Sequence, residues 1–558
     1  MFPLLDGGLL VLGLAVPFTL ANDLYFPQSH RTRPTGSCND TFQARCLAFN
    51  PLDLVANATV NAHEFVTAGT TLLFPDNDAS CARPSQTVSV DVCRIALNIS
   101  TSGTSGVLAE SWFPSNWTGR FLTLGNGGID GCIKYEDINY GVLNGFVAIG
   151  SNNGHNGTGG LAFYHNDGVV EDYVWRSIHT IVEVGKKLTN SFYDATFNHS
   201  YYLGCSGGGR QGIKAAEMFP NDFDGIVIGA PAVNFNNLTS WRASFFNKTG
   251  AANSTNFISA ATWSGLIHDE ILKQCDTIDG VADGIIEDPE LCHFDPAPLG
   301  CGSHSNSTSC LTPAQVQIVR EIFSPLYGAS GELVYPAMQP GSEQAATQKS
   351  YNGTPFSYSL DWFRYVVYQD PTWDDTHFNT TDITAAQALN PFNVQTWPSD
   401  LSSYTGASHG GKLLIYHGQQ DQQITSFNTP RFYRRLLQGM NLTHTEMDSV
   451  LRFFRISGMT HCNSGPGSWM IGQATIGAVS SNNTVGVGFD PKSNVLAAMV
   501  DWVENAHPPD TIEGTKFVND SQAAGVAFKR RHCRYPYRNT FMGGDSTLPD
   551  SWTCVLVD

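Results

Sequence analysis

The sequence predicts an α/β protein whose core of parallel strands is interrupted by a large insertion. Buried-strand patterns alternate with helical spacing from about residue 86 to the apolar run FDGIVIGAP, and this pattern stops within 232–401. It resumes at GKLLIYHGQQDQQI, residues 411–424. Strands that alternate with helices require crossover connections, which make the strands parallel. We therefore assign residues 22–231 and 402–558 to the core and 232–401 to an insertion.

The elements of the core follow in order along the chain. TVSVDVCRIALNIS, GRFLTLGNGG and NGFVAIGSNN predict strands, and SIHTIVEVGKKLTNSFY predicts a helix because its apolar residues recur at positions 178, 181, 182 and 184. HSYYLGCSGGGRQGIKAAEMFP predicts a strand, a sharp turn and a helix. After the insertion, VLRFFRISGMTHCNSG predicts one more strand that runs into a loop.

The charge balance excludes two classes of partner. The chain has 50 acidic and 31 basic residues, a formal net charge of −19. Such a chain repels nucleic-acid phosphates and anionic lipid headgroups, so we expect neither nucleic acid nor a membrane surface as a partner.

The N-terminus and the glycosylation motifs predict a secreted glycoprotein. Residues 7–20 are apolar and end in small residues, which predicts a signal peptide over 1–21 that is too short to span a membrane. A buried N-terminal strand or helix remains the alternative. Thirteen cysteines suit an oxidising compartment. Fifteen N-x-S/T motifs predict N-glycans, at Asn39, Asn57, Asn98, Asn116, Asn156, Asn198, Asn237, Asn247, Asn253, Asn306, Asn352, Asn379, Asn441, Asn482 and Asn519.

Three residues in the core have the order of a catalytic triad. Residues 204–208, G-C-S-G-G, match the nucleophile elbow G-x-S-x-G, with a predicted strand before Ser206 and a helix after it. That context favours an elbow over an ordinary glycine-rich loop. Asp421 and His461 each follow a predicted strand, in the order serine, acid, histidine that α/β-hydrolases use.

A cysteine adjoins two of these residues. Cys205 precedes Ser206, and Cys462 follows His461. If the histidine bonds to the serine, the two cysteines come close enough for a disulfide, whose Cα atoms are about 5.5 Å apart. We expect a Cys205–Cys462 bond that clamps the two catalytic loops, with two buried free thiols as the alternative.

These motifs resemble those of the fungal tannase and feruloyl esterase family. GCSGGGRQ, the aspartate of YHGQQD and HC are similar to the family's CS-D-HC pattern, and NWTGRFLTLGNGGIDGC, SNNGHNGT and FPNDFDGIVIGAPA resemble it as well. The resemblance implies an α/β-hydrolase core with a lid inserted between serine and aspartate. It implies that Ser206 is the nucleophile, His461 the base and Asp421 the partner that orients the base.

The resemblance also implies an oxyanion hole and a calcium site. We expect the amide of Gly207 and one from the GNGG loop, chosen as Gly127, to bind the oxyanion; a glycine-rich turn is the alternative for that loop. CDTIDGVADGIIEDPELC resembles the family's calcium loop, although its spacing differs from an EF-hand. A solvated acidic loop is the alternative. The expected ligands of this structural Ca²⁺, which would order the lid, are Asp276, Asp279, Val281, Asp283 and Ile285.

The remaining cysteines cannot be paired from their spacing. The resemblance implies the pairs Cys46–Cys93, Cys81–Cys132, Cys275–Cys292, Cys301–Cys310 and Cys533–Cys554. Cys38 is left over.

The sequence therefore predicts a secreted serine carboxylesterase that cleaves feruloyl esters of plant cell-wall polysaccharide through an acyl-enzyme. A tannase acting on galloyl esters is the main alternative. A serine carboxypeptidase and a non-catalytic glycoprotein are less consistent with the motifs. Aromatics in NFNNLTSWRASFF and LDWFRY either line the acyl pocket or form the core of the lid. We expect a monomer or a dimer.

Overall fold

The computed structural model describes residues 41–302, 309–474 and 487–556. The chain from Phe42 onwards forms one compact unit. No helix in this described part combines the length and hydrophobicity needed to cross a bilayer. Several predictions fall outside the described residues: the signal peptide at 1–21, Cys38, and the glycosylation motifs at Asn39, Asn306 and Asn482.

A nine-stranded mixed sheet forms the centre of the fold. Its strands are β1 (Ala58–Val66), β2 (Val92–Ser100), β3 (Gly106–Pro114), β4 (Arg120–Leu124), β5 (Phe146–Ser151), β6 (His199–Cys205), β7 (Gly225–Gly229), β8 (Lys412–Gly418) and β9 (Leu451–Ile456). They lie in the order β1-β2-β3-β5-β4-β6-β7-β8-β9. From β5 to β9 neighbouring strands are parallel, whereas the pairs β1–β2, β2–β3 and β3–β5 are antiparallel. The predicted α/β class is confirmed, with an antiparallel edge that the sequence did not reveal.

Nine helices of eight or more residues accompany the sheet in the described chain. They are α1 (Tyr135–Leu143), α2 (Ser177–Tyr193), α3 (Gly207–Met218), α4 (Phe235–Thr249), α5 (His268–Cys275), α6 (Pro313–Ile322), α7 (Thr380–Leu389), α8 (Asn428–Gly439) and α9 (Val495–Asn505). Shorter helical segments are Phe42–Ala48, Asp167–Glu171, Ala260–Thr262, Glu343–Ala346, Ser357–Trp362, Ser402–Thr405 and His444–Asp448. Two-stranded sheets pair Thr71–Leu73 with Ser85–Thr87, Leu326–Tyr327 with Leu333–Tyr335, Thr511–Phe517 with Val526–Cys533, and Tyr537–Phe541 with Trp552–Leu556.

Both faces of the parallel part of the sheet are covered, which explains why its strands are continuous apolar runs. In β8, Leu413 and Ile415 belong to the core cluster that includes residues of α2, α3 and α8. Leu414 and Tyr416 point to the other face, where the cluster includes residues of α1 and α9. Alternate residues of a strand face opposite sides, so one short segment contributes to two cores.

The insertion leaves the sheet after β7 and returns before β8. Its core contains the fully buried Trp241, Trp263 and Trp362. The predicted aromatic stretches therefore form the core of the insertion. The same cluster includes Ile129 and Tyr173, which precede the insertion in the chain. The insertion thus shares its core with the rest of the unit.

Helix α3 packs on the sheet through a glycine. A Cβ atom on Gly212 would lie 2.7 Å from Cγ2 of Ile228 and 2.8 Å from the ring of Tyr202. A larger side chain must displace one of these buried neighbours. We predict that Gly212→Val destabilises the fold by about 1–3 kcal/mol, measured as a lower midpoint of thermal unfolding.

The control for this prediction is on the same helix. Met218 is 40% exposed, and Met218→Ala is expected to change the stability by less than about 0.5 kcal/mol. Equal midpoints for Gly212→Val and the unmodified protein would show that α3 does not need this close contact.

Candidate active site

Ser206 occupies a strained turn between β6 and α3. Its φ of 63° and ψ of −119° are unusual for a residue with a side chain and are found mainly where the surroundings enforce them. Here the Ser206 amide donates to the carbonyl of Gly229 (2.9 Å), and its carbonyl accepts from the amide of Ala232 (3.0 Å). Glycine follows because a Cβ on Gly207 would lie 2.5 Å from the carbonyl oxygen of Gly128. The local sequence is therefore what a nucleophile elbow requires.

The structure brings Ser206, His461 and Asp421 together at one edge of the sheet. They follow β6, β9 and β8, and the carboxyl ends of parallel strands meet at the same edge. Nε2 of His461 lies 2.9 Å from Oγ of Ser206, and its Nδ1 lies 2.7 Å from Oδ2 of Asp421. Because a carboxylate only accepts, Nδ1 carries the proton and Nε2 is free to accept one from the serine hydroxyl.

The environment keeps the acid ionised and the base neutral. Burial of Asp421 favours its neutral form, but the charge that His461 carries when protonated and the hydrogen bonds from His417 and His461 outweigh burial and lower the pKa of Asp421 below its usual value. Burial lowers the pKa of His461 below 6.5, although the charge of Asp421 acts in the opposite direction. The nearby cations of Arg242 and Lys349 lower it further. A neutral imidazole is the form that can act as a general base.

A second histidine, which the sequence analysis missed, also contacts Asp421. Nε2 of the fully buried His417 lies 3.2 Å from Oδ2 of Asp421 and 3.0 Å from the carbonyl of Ile424. Its Nδ1 lies 2.7 Å from the hydroxyl of Thr429. Both neighbours of Nε2 are acceptors, so Nε2 donates. His417 thus helps to fix the carboxylate that orients His461; its place at the end of a buried strand, four residues before Asp421, was the available signal.

The predicted clamp is present beside the triad. Cys205 and Cys462 form a disulfide with an S–S distance of 2.04 Å and a Cα–Cα distance of 6.1 Å. It joins the residue before Ser206 to the residue after His461. The structure also forms the five pairs implied by the family resemblance: Cys46–Cys93, Cys81–Cys132, Cys275–Cys292, Cys301–Cys310 and Cys533–Cys554.

The expected oxyanion donors differ in their surroundings. Gly207 begins α3, and the first amides of a helix have no partner within the helix and carry a partial positive charge. The Gly127 amide instead donates to Oδ1 of Asp130, at 3.3 Å. The amide nitrogen of its neighbour Gly128 lies 3.2 Å from the point that a Cβ on Gly207 would occupy. The contribution of the GNGG loop stays a prediction, and the Gly128 amide is a second candidate donor in that loop.

A cavity of about 270 Å³ opens at Ser206. Its lining includes residues from the core, such as Asp130 and Lys134, and residues from the insertion, such as Lys349 and Tyr358. Nζ of Lys134 lies 3.5 Å from Oδ2 of Asp130. The ammonium of Lys349 lies 5.3 Å from the centre of the Tyr358 ring. The cavity therefore lies between core and insertion, and charged and polar side chains form much of its wall.

Comparison with known proteins gives the family. The family model described as tannase and feruloyl esterase matches residues 93–555. The chain belongs to this family. It is 55% identical over 494 residues to a protein named probable feruloyl esterase B-2 from Aspergillus flavus, covering 88% of this chain and 93% of the relative.

Two solved structures share the fold. Feruloyl esterase B from Aspergillus oryzae matches with a TM-score of 0.87 and 45% identity, covering 92% of this chain and all of the other. Tannin acyl hydrolase from Aspergillus niger matches with a TM-score of 0.71 and 20% identity, covering 93% and 95% of the two chains. At that lower identity, the second likeness concerns the fold alone.

The acidic loop, residues 275–292, contains a carboxylate oxygen without a hydrogen-bond partner. Oδ1 of Asp279 accepts from the amide of Val281, whereas its Oδ2 is buried and has no hydrogen-bond partner among the described residues. Burial raises the pKa of Asp279 to about 7, with Glu287 and Asp283 adding to the effect. Oδ2 of Asp283 pairs with Arg530 at 2.6 Å. A buried, unpaired carboxylate oxygen fits a cation ligand.

Among the described residues, three metal-ligating side chains do come close together at a different place. Cys46, His63 and Cys93 have ligand atoms within 4.8 Å of one another, but the two sulfurs are joined in a disulfide. This set is therefore not a metal site. The carboxylate oxygens of Asp276, Asp279 and Asp283 do not all lie within 4.8 Å of one another.

We predict that removing the clamp lowers turnover more than stability. Cys205→Ala/Cys462→Ala frees the two loops, and displacement of a catalytic group by about 1 Å can cost 10²-fold in rate. The expected result is a fall in kcat of at least about tenfold with an unchanged circular dichroism spectrum. Cys301→Ala/Cys310→Ala removes a disulfide from the insertion and should leave kcat unaffected. Full turnover in the first variant would contradict the clamp.

We predict that the acid limb of the kcat/KM profile has an apparent pKa below 6.5. The base must be neutral, so activity is lost as the pH falls through the pKa of His461, which burial holds below 6.5. Lys349→Met removes a cation and should raise this apparent pKa by a fraction of a pH unit. Lys273→Met, which removes an exposed charge on α5, is the control and should leave the profile unchanged. A shift to lower pH in Lys349→Met would refute this electrostatic account.

Proposed function

We propose that the protein is a feruloyl esterase that hydrolyses hydroxycinnamate esters through an acyl-enzyme. The observation that carries this proposal is the contact chain from Ser206 through His461 to Asp421, with distances of 2.9 and 2.7 Å. Family membership and the names of the most similar relatives support the substrate class. The cavity between core and insertion gives an acyl group access to Ser206.

The geometry supports a two-step reaction. Nε2 of His461 takes the hydroxyl proton of Ser206 as Oγ attacks the ester carbonyl, and the amide of Gly207 stabilises the oxyanion. The protonated His461 then gives that proton to the departing alcohol oxygen. Water, activated by His461 in the same way, attacks the acyl-enzyme and releases the acid. Asp421 holds the imidazole in the required tautomer throughout.

Galloyl ester hydrolysis remains the second candidate because of the cavity wall. A galloyl ring carries three hydroxyls that need hydrogen-bond partners. The carboxylate of Asp130 and the ammonium groups of Lys134 and Lys349 border the cavity and provide such partners. The same groups can bind the phenolic hydroxyl of a feruloyl ring.

The substrate preference is tested by turnover of methyl ferulate and methyl gallate under the same conditions. We predict a higher kcat/KM for methyl ferulate and loss of activity by about 10⁴-fold or more in Ser206→Ala. A preference for methyl gallate would keep the proposed mechanism but would assign galloyl esters as the substrate in place of feruloyl esters. If Ser206→Ala were as active as the unmodified protein, Ser206 would not be the nucleophile.

We also propose that the acidic loop binds a structural Ca²⁺. Side chains of Asp276, Asp279 and Asp283 and carbonyls of Val281 and Ile285 would be the ligands, since Ca²⁺ takes six to eight oxygens. The ion would supply positive charge to a buried carboxylate. The loop continues into Ile286, whose carbonyl accepts a hydrogen bond of 2.8 Å from Gln420, the residue before Asp421.

Removal of Ca²⁺ is expected to lower thermal stability. Treatment with a chelator should reduce the midpoint of unfolding, and added Ca²⁺ should restore it, whereas Mg²⁺ should restore it less because it requires a tighter octahedral shell. In Asp279→Asn the midpoint should respond little to either treatment. A midpoint that is insensitive to the chelator in the unmodified protein would contradict the site.

Secretion and N-glycosylation are further parts of the proposal. The predicted signal peptide and the six disulfides are consistent with export into an oxidising compartment. All twelve motif asparagines that the structure describes are exposed or half-buried, as attached glycans require. The substrate would then be an ester on plant cell-wall polysaccharide, such as feruloylated xylan.

A further inference from the structure

Three arginines of α8 border a surface groove that the proposed reaction does not use. The groove has a volume of about 550 Å³, which is in the range of ligand sites. Its lining consists of Trp397, Ser399, Arg431, Arg434, Arg435, Gln438 and Gly439. None of these residues borders the cavity at Ser206.

The three guanidinium groups lack acidic partners. Among the ion pairs of the described residues, none involves Arg431, Arg434 or Arg435, although the chain as a whole has 50 acidic residues. Like charges three and four positions apart on a helix repel each other by a few tenths of a kcal/mol per pair. The three arginines thus form a positive patch that no ion pair among the described residues neutralises, in a chain of net charge −19.

Neutral acceptors hold the three side chains in place. Arg435 donates to the carbonyl of Trp397 at 3.0 Å, Arg434 to the hydroxyl of Tyr535 at 3.0 Å, and Arg431 to Oδ1 of Asn428 at 3.1 Å. Each guanidinium has five N–H donors, so most of them remain available to a ligand. The groups are therefore oriented in advance without being neutralised.

The floor of the groove is closely packed. The centre of the Trp397 ring lies 5.3 Å from the centre of the Phe432 ring. The guanidinium carbons of Arg431 and Arg435 lie 5.9 and 5.8 Å from the centre of the Trp397 ring. At the end of α8, the carbonyl oxygen of Ser399 is 2.0 Å from where a Cβ on Gly439 would lie, so only glycine permits this approach. The groove is thus a fixed feature of the fold.

We propose that this groove binds the carboxylates of a uronic-acid-containing polysaccharide. A guanidinium forms paired hydrogen bonds with a carboxylate, and a polyuronate presents several carboxylates along one chain. Simultaneous contacts along one ligand strengthen weak individual ones. The hydroxyl of Ser399 and the amide of Gln438 can bind sugar hydroxyls. Because Arg434 and Arg435 are exposed, the binding is weak and sensitive to salt.

Calorimetry on the Ser206→Ala protein tests the proposal without relying on esterase activity. The ligand is a tetragalacturonate, and its fully methyl-esterified form is the neutral control of the same size. We expect saturable binding of the acid form at about 50 mM salt, loss of binding as the salt is raised, and none for the ester. The proteins are deglycosylated first, because the Asn441 motif follows α8 closely.

Paired variants locate the site. Arg434→Gln/Arg435→Gln should weaken binding about tenfold or more, the loss of about 1.4 kcal/mol. Arg320→Gln/Arg531→Gln removes the same charge at an exposed and a half-buried position elsewhere and should leave binding unchanged. In the otherwise unmodified enzyme, Arg434→Gln/Arg435→Gln should keep full activity on methyl ferulate, which shows that the fold is retained.

Three results would overturn the proposal. Equal binding of the acid and ester forms would show that the carboxylate is not recognised. Unchanged affinity in Arg434→Gln/Arg435→Gln would move the site elsewhere. If inorganic phosphate displaced tetragalacturonate at an equal concentration of charge, the groove would be a general anion site without preference for a polyuronate.

Discussion

The hydrogen bond between His461 and Ser206 depends on two loops that are far apart in sequence, and the rest of the site is arranged to keep their distance fixed. The Cys205–Cys462 disulfide joins residues 257 positions apart, directly beside both side chains. This disulfide limits the relative movement of the two loops at the place where the reaction depends most on the distance between His461 and Ser206. The hydrogen bonds that Asp421 accepts from His461 and His417 fix the orientation of the imidazole and its acid.

The sheet explains why these loops meet. Parallel strands β6, β8 and β9 deliver all three residues to one edge, and α3 directs its first amides at the same place. The insertion then adds a wall with Lys349 and Tyr358. Core and insertion share one hydrophobic cluster, so the wall is a packed part of the same unit. The chemistry therefore belongs to the core, while the insertion shapes the space that a substrate enters.

The sequence was sufficient for features that depend on local chemistry. A glycine-flanked serine between a strand and a helix, and cysteines adjoining Ser206 and His461, could be recognised because each requirement is local. Strand β1 was missed: apolar and polar residues do alternate in ATVNAH, but the strand lies at the edge of the sheet and is mostly exposed or half-buried. The contact of His417 with Asp421 and the charged cavity wall depend on long-range packing. The pairing of the Gly127 amide with Asp130 depends on a side-chain rotamer that no pattern reveals.

The most direct test of the account is to trap the acyl-enzyme. The protein would be mixed with 4-nitrophenyl ferulate, quenched in acid within the first turnover, digested and analysed by mass spectrometry. The account predicts a feruloyl adduct on Ser206 in the unmodified enzyme and no adduct in Ser206→Ala. An adduct on another residue, or full turnover with no adduct on Ser206, would contradict the account.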